Sequence, residues 1–239
     1  MNQKLRTDAE DIARSAIEAV KPDEAVKRAL ADIHPQGREF LVAVGKAAWQ
    51  MAQAAVRGSP RPVDGGIVVA KYGHVLGEIP GVTCYEAGHP VPDENSFRGT
   101  EAVLELTKDL LPTDTVLFLL SGGGSALFER PLISAQELQD VTKQLLACGA
   151  DIVEMNTIRK RLSKEKGGRF ALHCAPARVE AVVLSDILGD PLDMIASGPA
   201  AADPSTSGQA RAIAEKYALR LSEAAWSCLD VETPKVLDN

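Results

Sequence analysis

The sequence lacks the cysteine spacing that would indicate a zinc ribbon or a disulfide framework. Its four cysteines are far apart and form no CxxC pair; they are Cys84, Cys148, Cys174 and Cys228. Widely separated single cysteines are typical of proteins from a reducing compartment. The opening residues, MNQKLRTDAEDIA, contain no apolar core of a signal peptide, and no apolar run reaches the length of a membrane span. We therefore expect a soluble, cytoplasmic protein without a membrane partner.

An excess of basic residues is also missing. The 239 residues include 33 acidic and 26 basic side chains, which gives a formal net charge of −7. General binders of nucleic acid or of anionic membrane surfaces need a basic surface, so neither partner is expected. The length and the 45% apolar content are sufficient for one α/β domain or two small ones.

Two common nucleotide-binding signatures are absent. No GxxxxGK[ST] pattern occurs anywhere in the chain, which excludes a standard P-loop. A GxGxxG fingerprint that starts at Gly122 fails, because its third small position falls on Leu127. Any phosphate site in this chain must therefore be built in another way.

The most informative stretch that is present is TVLFLLSGGGSAL, residues 115–127. Its continuous apolar run predicts a strand buried on both faces, as in a parallel sheet. The loop that follows, Ser121 to Ser125, contains Gly122, Gly123 and Gly124, whose amides can approach an anion closely. The alternative is a tight strand-to-helix turn with no ligand. Its position after a central strand favours ligand binding, because open α/β sheets bind ligands beyond the carboxyl ends of their strands.

Strand and helix patterns alternate along the chain. Further strands are predicted at 40–45 (FLVAVG), 66–71 (GIVVAK), 82–87 (VTCYEA) and 181–186 (AVVLSD). A helix is predicted near 8–20, after a Thr7/Glu10 capping box, and a second helix is predicted to begin at Pro22. Further helices are predicted over 46–56, 94–111, 134–148 and 208–217. No closing element is predicted in the tail that follows. This alternation predicts an α/β fold with a doubly wound, mostly parallel sheet.

Lys46 follows Gly45 at the first strand-to-helix junction. There its ammonium group would project toward the same crevice as the glycine loop, beside helix N-terminal amides that favour anions. The alternative is a merely solvated lysine. The two loop histidines, His74 and His89, are isolated in sequence, so core or surface positions are expected for them rather than metal binding.

Residues 156–169, NTIRKRLSKEKGGR, are strongly basic, with six positive charges and one negative. Asn156, Arg159, Lys160 and Ser163 fall at helical spacing and are predicted to share a face that attracts an anion. Lys166 adds a further positive charge to this candidate site, and Gly167 adds a backbone segment that a ligand can approach closely. A solvated helix surface is the alternative.

The last predicted strand leads into a loop with two carboxylates, Asp186 and Asp190. They are candidates to hold Mg²⁺, and either could instead accept the proton of a substrate hydroxyl. An ordinary Asp-Gly turn is the alternative. Ser197 and Gly198 follow in ASGP and are further candidates for ligand contact.

Five segments in one order resemble the glycerate 2-kinase family, whose members are sometimes labelled hydroxypyruvate reductases and carry a C-terminal domain called MOFRL. The segments are VAVGKAAWQMAQAA (42–55), EAGHPVPDENS (86–96), LLSGGGSALFERP (119–131), MNTIRKRLSKEKGGRFA (155–171) and SDILGDPLDMIASGPAAADPST (185–206). The resemblance implies a Rossmann-like domain and transfer of the γ-phosphoryl group of ATP, with Mg²⁺, to the 2-hydroxyl of D-glycerate. Lys46 matches the family's GK lysine, and the glycine loop, basic run and Asp186/Asp190 loop match segments that line its cleft.

One departure is large: family members continue beyond this chain, and their second domain is absent from it. Residues 1–239 therefore resemble the N-terminal domain alone or a truncated product, and we expect an uncovered apolar face that leads to a homodimer or to aggregation. A smaller departure is Ala200-Ala201-Ala202, where the family more often has a threonine.

The resulting hypothesis is a kinase in which Lys46, Arg159 and Lys160 bind phosphate oxygens, glycine-loop amides donate hydrogen bonds, and Asp186 or Asp190 serves the metal or the hydroxyl proton. The candidate residues are Gly45, Lys46, Ser121, Gly122, Gly123, Gly124, Ser125, Asn156, Arg159, Lys160, Ser163, Lys166, Gly167, Asp186, Asp190, Ser197 and Gly198. The alternatives are an NAD(P)H-dependent hydroxypyruvate reductase and a non-catalytic module that binds a small anion or a nucleotide.

Overall fold

A computed structural model describes residues 3–238. The strands are β1 (Glu39–Val44), β2 (Gly65–Lys71), β3 (Val82–Ala87), β4 (Thr115–Ser121) and β5 (Arg178–Leu184). The helices are α1 (Gln3–Ala19), α2 (Pro22–Leu30), α3 (Ala48–Gly58), α4 (Glu94–Leu106), α5 (Gly124–Leu127), α6 (Ala135–Ala147), α7 (Ile152–Arg161), α8 (Arg169–Cys174), α9 (Ser207–Lys216) and α10 (Glu223–Leu229).

The five strands form one parallel sheet in the order β3-β2-β1-β4-β5. The chain first builds the sheet outward from β1 to β3 and then returns to the other side of β1 with β4. The predicted α/β, Rossmann-like doubly wound fold with a mostly parallel sheet is therefore confirmed, and the point where the winding reverses lies between β1 and β4.

Both faces of the sheet are covered by helices. On one face, Leu41, Val68 and Leu117 pack against α2 and α3. On the other face, Val42 and Phe118 belong to a cluster that includes residues of α4, α5 and α8. This double coverage explains the continuous apolar sequence of β1 and β4, all of whose residues are buried.

Three phenylalanines fix the segment that follows the glycine loop. The ring of Phe118 in β4 lies 5.9 Å from that of Phe128 and 4.8 Å from that of Phe170 in α8, measured between centroids. Phe128 and Phe170 meet edge to face at 5.3 Å. The short helix α5 is therefore held between the end of β4 and α8, which makes the glycine loop a rigid corner.

A third apolar cluster lies outside the sheet and joins α6, α7, α9 and α10 through residues such as Leu145, Ile158 and Leu229. Two of these helices, predicted over 134–148 and 208–217, have side-chain caps: Ser134 accepts from the Glu137 amide, and Thr206 accepts from the Gln209 amide. The prediction that no closing element follows α9 is wrong, because α10 completes this cluster.

The N-terminal helix differs from its prediction. It begins at Gln3, so Thr7 is not its cap; the Thr7 hydroxyl instead donates to the carbonyl oxygen of Gln3 inside the helix. None of the residues of α1 is buried. Across residues 3–238, no helix has both the length and the apolar character needed to cross a membrane.

Candidate functional site

The carboxyl ends of β1 and β4 are tied together at the reversal point of the sheet. The Lys46 amide donates to the Gly122 carbonyl oxygen over 2.9 Å, and the Ala47 amide donates to the Ser121 hydroxyl over 3.0 Å. A Cβ on Gly45, whose φ is +121°, would lie 2.2 Å from the Ser121 hydroxyl oxygen. The two backbones approach so closely that only glycine fits at this position.

Gly122, Gly123 and Gly124 have no side chains at the point where neighbouring segments pack against the loop, so their backbone is accessible there. A Cβ on Gly122 would lie 2.2 Å from a carboxylate oxygen of Asp186, and one on Gly124 would lie 2.6 Å from Ala196 Cβ. Gly123 has φ +89° and faces the side chains of His89 and Lys46. The loop is therefore bordered by side chains from the ends of β1, β3 and β5, all at one edge of the sheet.

Several charged groups at this edge have no partner among residues 3–238. The ammonium groups of Lys46 and Lys71 and the carboxylate of Asp186 form no hydrogen bond or ion pair with any described residue. Unpaired positive and negative side chains thus surround the glycine loop. Such an arrangement suits an anionic ligand, alone or together with a bound cation. The edge is open to solvent; a concavity of about 550 Å³ lies instead at the other end of β1, lined in part by Glu39 and Arg61.

A chain of hydrogen bonds connects α7 to the glycine loop. A terminal guanidinium nitrogen of Arg159 donates to the Ser125 carbonyl oxygen over 3.1 Å, and the Nε atom of Arg159 is buried without a partner. The Ser125 and Ser197 hydroxyl oxygens lie 3.3 Å apart, and Ser197 donates to Asn156 Oδ1 over 3.0 Å. Arg159, Ser125, Ser197 and Asn156 are thus brought together beside the loop.

Ser197 occupies a strained backbone segment. Ser197 has φ +64° and the preceding Ala196 has φ +50°, a region that residues with a side chain adopt rarely. Ser197 is fully buried, and its carbonyl oxygen accepts from the Gly167 amide over 3.0 Å. The Gly198 amide donates to the Ile195 carbonyl oxygen over 2.9 Å. The amides of Gly167 and Gly198 are therefore already bonded within the protein.

The prediction that the basic run presents one anion-binding face is wrong for Lys160. Its side chain is only 1% exposed, and its ammonium group lies 3.0 Å from an oxygen of Asp203 and 3.2 Å from one of Asp193. The pKa of Asp203 is lowered, because hydrogen bonds from Thr233, Ser205 and Lys160 outweigh the effect of burial. Lys160 therefore stabilises the fold and has no free charge for a ligand.

The same correction applies to Lys166 and Ser163. The Lys166 ammonium group is fully buried, donates to the Phe128 carbonyl oxygen over 2.6 Å, and lies 2.8 Å from Glu165 and 2.9 Å from Glu129. Ser163 donates to Glu129 over 2.7 Å. Burial, opposed by Lys166 and aided by Glu129, raises the pKa of Glu165 to about 7. We name Glu129, Ser163, Glu165 and Lys166 the buried ion cluster.

The expectation for His89, a core or surface position, is incomplete. The residue follows β3, and its imidazole ring is half-buried against the glycine loop. Burial, together with the nearby Lys46 and Lys71, lowers the pKa of His89, while Asp186 acts in the opposite direction. The sequence signal that could have located it is its place in the loop after a strand, at the same edge as Lys46.

His74 also reaches this edge. Its Nδ1 atom lies 2.8 Å from the Lys46 carbonyl oxygen, so this nitrogen donates. The loop that carries His74 is held by Glu86, whose carboxylate accepts from the His74 and Val75 amides at 3.0 Å each. The turn that carries Lys46 is therefore held both by the end of β4 and by the loop that carries His74.

Asp186 and Asp190 lie in an exposed loop after β5. Over the described residues, no group of three or more His, Cys, Asp or Glu side chains could hold a metal ion. The free carboxylate of Asp186 next to Gly122 nevertheless suits a hard cation that completes its shell with water and ligand oxygens. The donors present thus fit a Mg²⁺ ion shared with a phosphate ligand, rather than a site made by protein alone.

Comparison with known proteins gives concordant matches. Residues 8–230 match the family described as "Domain of unknown function (DUF4147)". The chain is 53% identical over 239 residues to the D-glycerate 2-kinase of Thermotoga maritima, covering 99% of this chain and 57% of that protein. It is 40% identical over 225 residues to a putative hydroxypyruvate reductase of Agrobacterium vitis, covering 92% of this chain and 51% of that protein.

A solved structure matches as well. The crystal structure of the Thermotoga maritima glycerate kinase superposes with a TM-score of 0.92 at 52% identity, covering 99% of this chain and 57% of that one. This chain therefore spans about half the length of the curated relatives that it matches.

Proposed function

Since this chain belongs to the glycerate 2-kinase family, we propose that it carries the phosphate-binding wall of a kinase site. The reaction is transfer of the γ-phosphoryl group of ATP to the 2-hydroxyl of D-glycerate, which gives 2-phosphoglycerate. The observation that supports this proposal best is the convergence of Lys46, Arg159 and the bare glycine loop at the β1/β4 reversal.

Phosphoryl transfer asks a protein mainly to position two reactants and to stabilise the charge on the transferred oxygens. The Lys46 ammonium group is free and exposed, so it can reach these oxygens without breaking an internal ion pair. Arg159 adds a second cation, whose orientation is fixed by its bond to the Ser125 carbonyl oxygen. Amides of Gly122 to Gly124 act as further donors in this proposal.

Asp186 and Asp190 are the residues that would hold Mg²⁺. The ion, when bound, neutralises charge on the phosphates and orients them for in-line transfer. Asp186 contributes a carboxylate that lies next to Gly122 and has no partner among the described residues. A cytoplasmic location and small-molecule partners, ATP and D-glycerate, are part of the same proposal.

The site is one open wall, and the chain spans about half of its relatives. We therefore assign residues 1–239 to the N-terminal domain of the kinase and expect the opposite wall to come from a further domain. Binding and turnover are accordingly separate measurements for this chain.

The test is a pair of assays on one preparation. ADP release is followed with ATP, Mg²⁺ and D-glycerate, and NADH oxidation is followed with hydroxypyruvate. Glycerate-dependent ADP release supports the kinase, whereas hydroxypyruvate-dependent NADH oxidation without ADP release supports the reductase and contradicts our proposal. Isothermal titration calorimetry with ATP and D-glycerate completes the test. Saturable binding of both ligands supports the proposed wall even without turnover, whereas no binding of either ligand contradicts it.

A further inference from the structure

The imidazole ring of His89 and the side chain of Lys46 border the same bare stretch of backbone. A Cβ placed on Gly123 would lie 3.0 Å from Cδ2 and 3.1 Å from Nε2 of His89, and 3.2 Å from Cγ of Lys46. The two side chains come from the ends of different strands, β3 and β1. A ligand resting on Gly123 therefore meets Lys46 and His89 at the same time.

The hydrogen-bonding capacity of His89 is unused. Neither of its ring nitrogens bonds to any part of the chain that the structure describes. Two other histidines are engaged: His74 donates to the Lys46 carbonyl oxygen, and Nε2 of His173 lies 2.9 Å from the Leu104 carbonyl oxygen. The ring nitrogens of His89 are not among the buried, unpartnered atoms of the described residues, so they remain accessible to water or to a bound ligand.

The loop that carries His89 is held firmly. A Cβ on Gly88 would lie 2.7 Å from the Val91 carbonyl oxygen, so the loop folds tightly on itself. Asp93 caps α4 by accepting from the Ser96 amide over 3.0 Å, and its other carboxylate oxygen accepts from the Tyr72 hydroxyl over 2.8 Å. The backbone that carries the ring is thus held beside Gly123 before any ligand arrives.

The surrounding groups differ in what they offer a ligand. Lys46, Arg159 and the glycine amides are hydrogen-bond donors, which suit phosphate and carboxylate oxygens. An alcohol needs an acceptor for its proton, and a neutral imidazole supplies one. Burial and the charges of Lys46, Lys71 and His74 favour the neutral ring by lowering the pKa of His89, and Asp186 is the group that opposes them.

We propose that His89 is a substrate-binding residue that accepts a hydrogen bond from the reacting hydroxyl of D-glycerate, above Gly123 and opposite Lys46. The inference rests on the proposed kinase function and adds to it the group that orients the acceptor. A hydrogen bond from the hydroxyl to His89 would favour binding of an α-hydroxy acid over the corresponding acid without the α-hydroxyl.

The first test uses nuclear magnetic resonance of the histidine rings. The chain contains four histidines, so the imidazole signals are few, and His89→Gln identifies the signal of interest. Addition of D-glycerate is expected to shift the His89 signal in a saturable way and to leave the His34 and His173 signals in place. 3-Hydroxypropionate, which keeps the carboxylate and lacks the 2-hydroxyl, is expected to leave the His89 signal unchanged.

The outcomes separate the two proposals. D-glycerate binding measured by calorimetry with an unmoved His89 signal overturns the His89 assignment and leaves the kinase proposal standing. An equal shift with 3-hydroxypropionate overturns it as well, because the ring would then sense the carboxylate. Absence of any D-glycerate binding, with or without ATP and Mg²⁺, counts against both proposals.

A second test compares two substitutions. His89→Gln keeps a side-chain acceptor, and His89→Leu removes it at similar volume. We expect His89→Leu to weaken D-glycerate binding about fivefold, the size of one hydrogen bond, with ATP binding unchanged and His89→Gln close to wild type. His173→Leu is the control, and thermal melting checks the fold of each variant. Wild-type affinity in His89→Leu would contradict the assignment.

Discussion

The backbone amide of Lys46 donates a hydrogen bond to the carbonyl oxygen of Gly122 over 2.9 Å. This bond joins the first residue after the β1–Gly45 segment to the first glycine after β4, across the point where the sheet reverses its winding. It holds the proposed phosphate-binding lysine and the glycine loop in fixed register. The lysine turn and the glycine loop are therefore expected to act as one unit.

Replacing Lys46 with methionine is expected to abolish most of the function and to leave the fold intact. The ammonium group is exposed and has no partner in the part of the chain that the structure describes, so its removal leaves no buried charge behind. Loss of one preorganised electrostatic group lowers kcat about 100-fold or more. The measurement is ADP release by the active kinase, or ATP affinity by calorimetry for this chain. Lys143→Met, at an exposed position of α6, is the matched control, and equal behaviour of both variants would remove Lys46 from the site.

Gly123→Ala is expected to damage ligand binding more than stability. Gly123 and Gly149 both have positive φ, +89° and +74°, so an added methyl group strains both backbones, at about 1 kcal/mol each. Only at Gly123 does the new Cβ meet His89 and Lys46; at Gly149 nothing lies within 4 Å. Calorimetry and thermal melting of both variants separate the effects. Equal affinity for ATP and equal affinity for D-glycerate in both variants would show that the face of Gly123 is not part of the site.

Lys166→Met is expected to destabilise the protein, in contrast to Lys46→Met. Removal of this fully buried cation leaves Glu129 and Glu165 together without their counter-charge. Breaking a buried pair in this way costs about 3 kcal/mol or more. Denaturant unfolding measures the change in the free energy of unfolding. Lys164→Met, two residues earlier and exposed, is the control; a loss as small as that of the control would contradict the buried ion cluster.

The buried ion cluster also predicts a pH dependence. The pKa of Glu165 is raised from 4.5 to about 7 in the folded protein, so the folded state binds this proton more tightly than the unfolded state. Its contribution to stability is therefore fully present below the unfolded pKa of 4.5 and is lost as the pH rises through about 7. The Glu165→Gln variant, whose new side chain cannot ionise, is expected to show a weaker dependence of melting temperature on pH over this range.

The matched control for this pH experiment is Glu105→Gln on the surface of α4. It is expected to keep the wild-type slope of melting temperature against pH. A Glu165→Gln variant whose slope equals that of wild type would show that Glu165 does not titrate in this window.

Helix α1 predicts self-association. Leu5, Ile12, Ile17 and Val20 at and just after this helix are 59–75% exposed and lie on one apolar stripe. An uncovered stripe of this kind favours pairing with a second copy, in line with the expected homodimer. Ile12→Glu is expected to shift the mass in light scattering toward the monomer, while Ser15→Glu, on the other side of the helix, leaves it unchanged. A wild-type chain that is monomeric at high concentration would contradict this prediction.

The sequence by itself determined the α/β layering and which loops lie at the carboxyl edge of the sheet. The apolar runs of β1 and β4 could only be buried parallel strands, and strand ends in such a sheet share one edge, so Lys46 and the glycine loop could be placed together before any coordinates. Local patterns also located the helices predicted over 134–148 and 208–217, whose caps in the structure are Ser134 and Thr206. They failed at α1, where a capping-box spacing occurs inside a helix.

The tertiary structure alone decided which charges are free. Lys160 and Arg159 are adjacent in sequence and look alike in any local pattern, yet Lys160 is neutralised by Asp203, 43 residues away, while Arg159 reaches the glycine loop. Likewise, His89 gained its place beside Lys46 only when β3 and β1 were set in one sheet. The physical reason is that helices and strands follow from short-range periodicity, whereas the partner of a charged side chain is set by which distant segments pack against it.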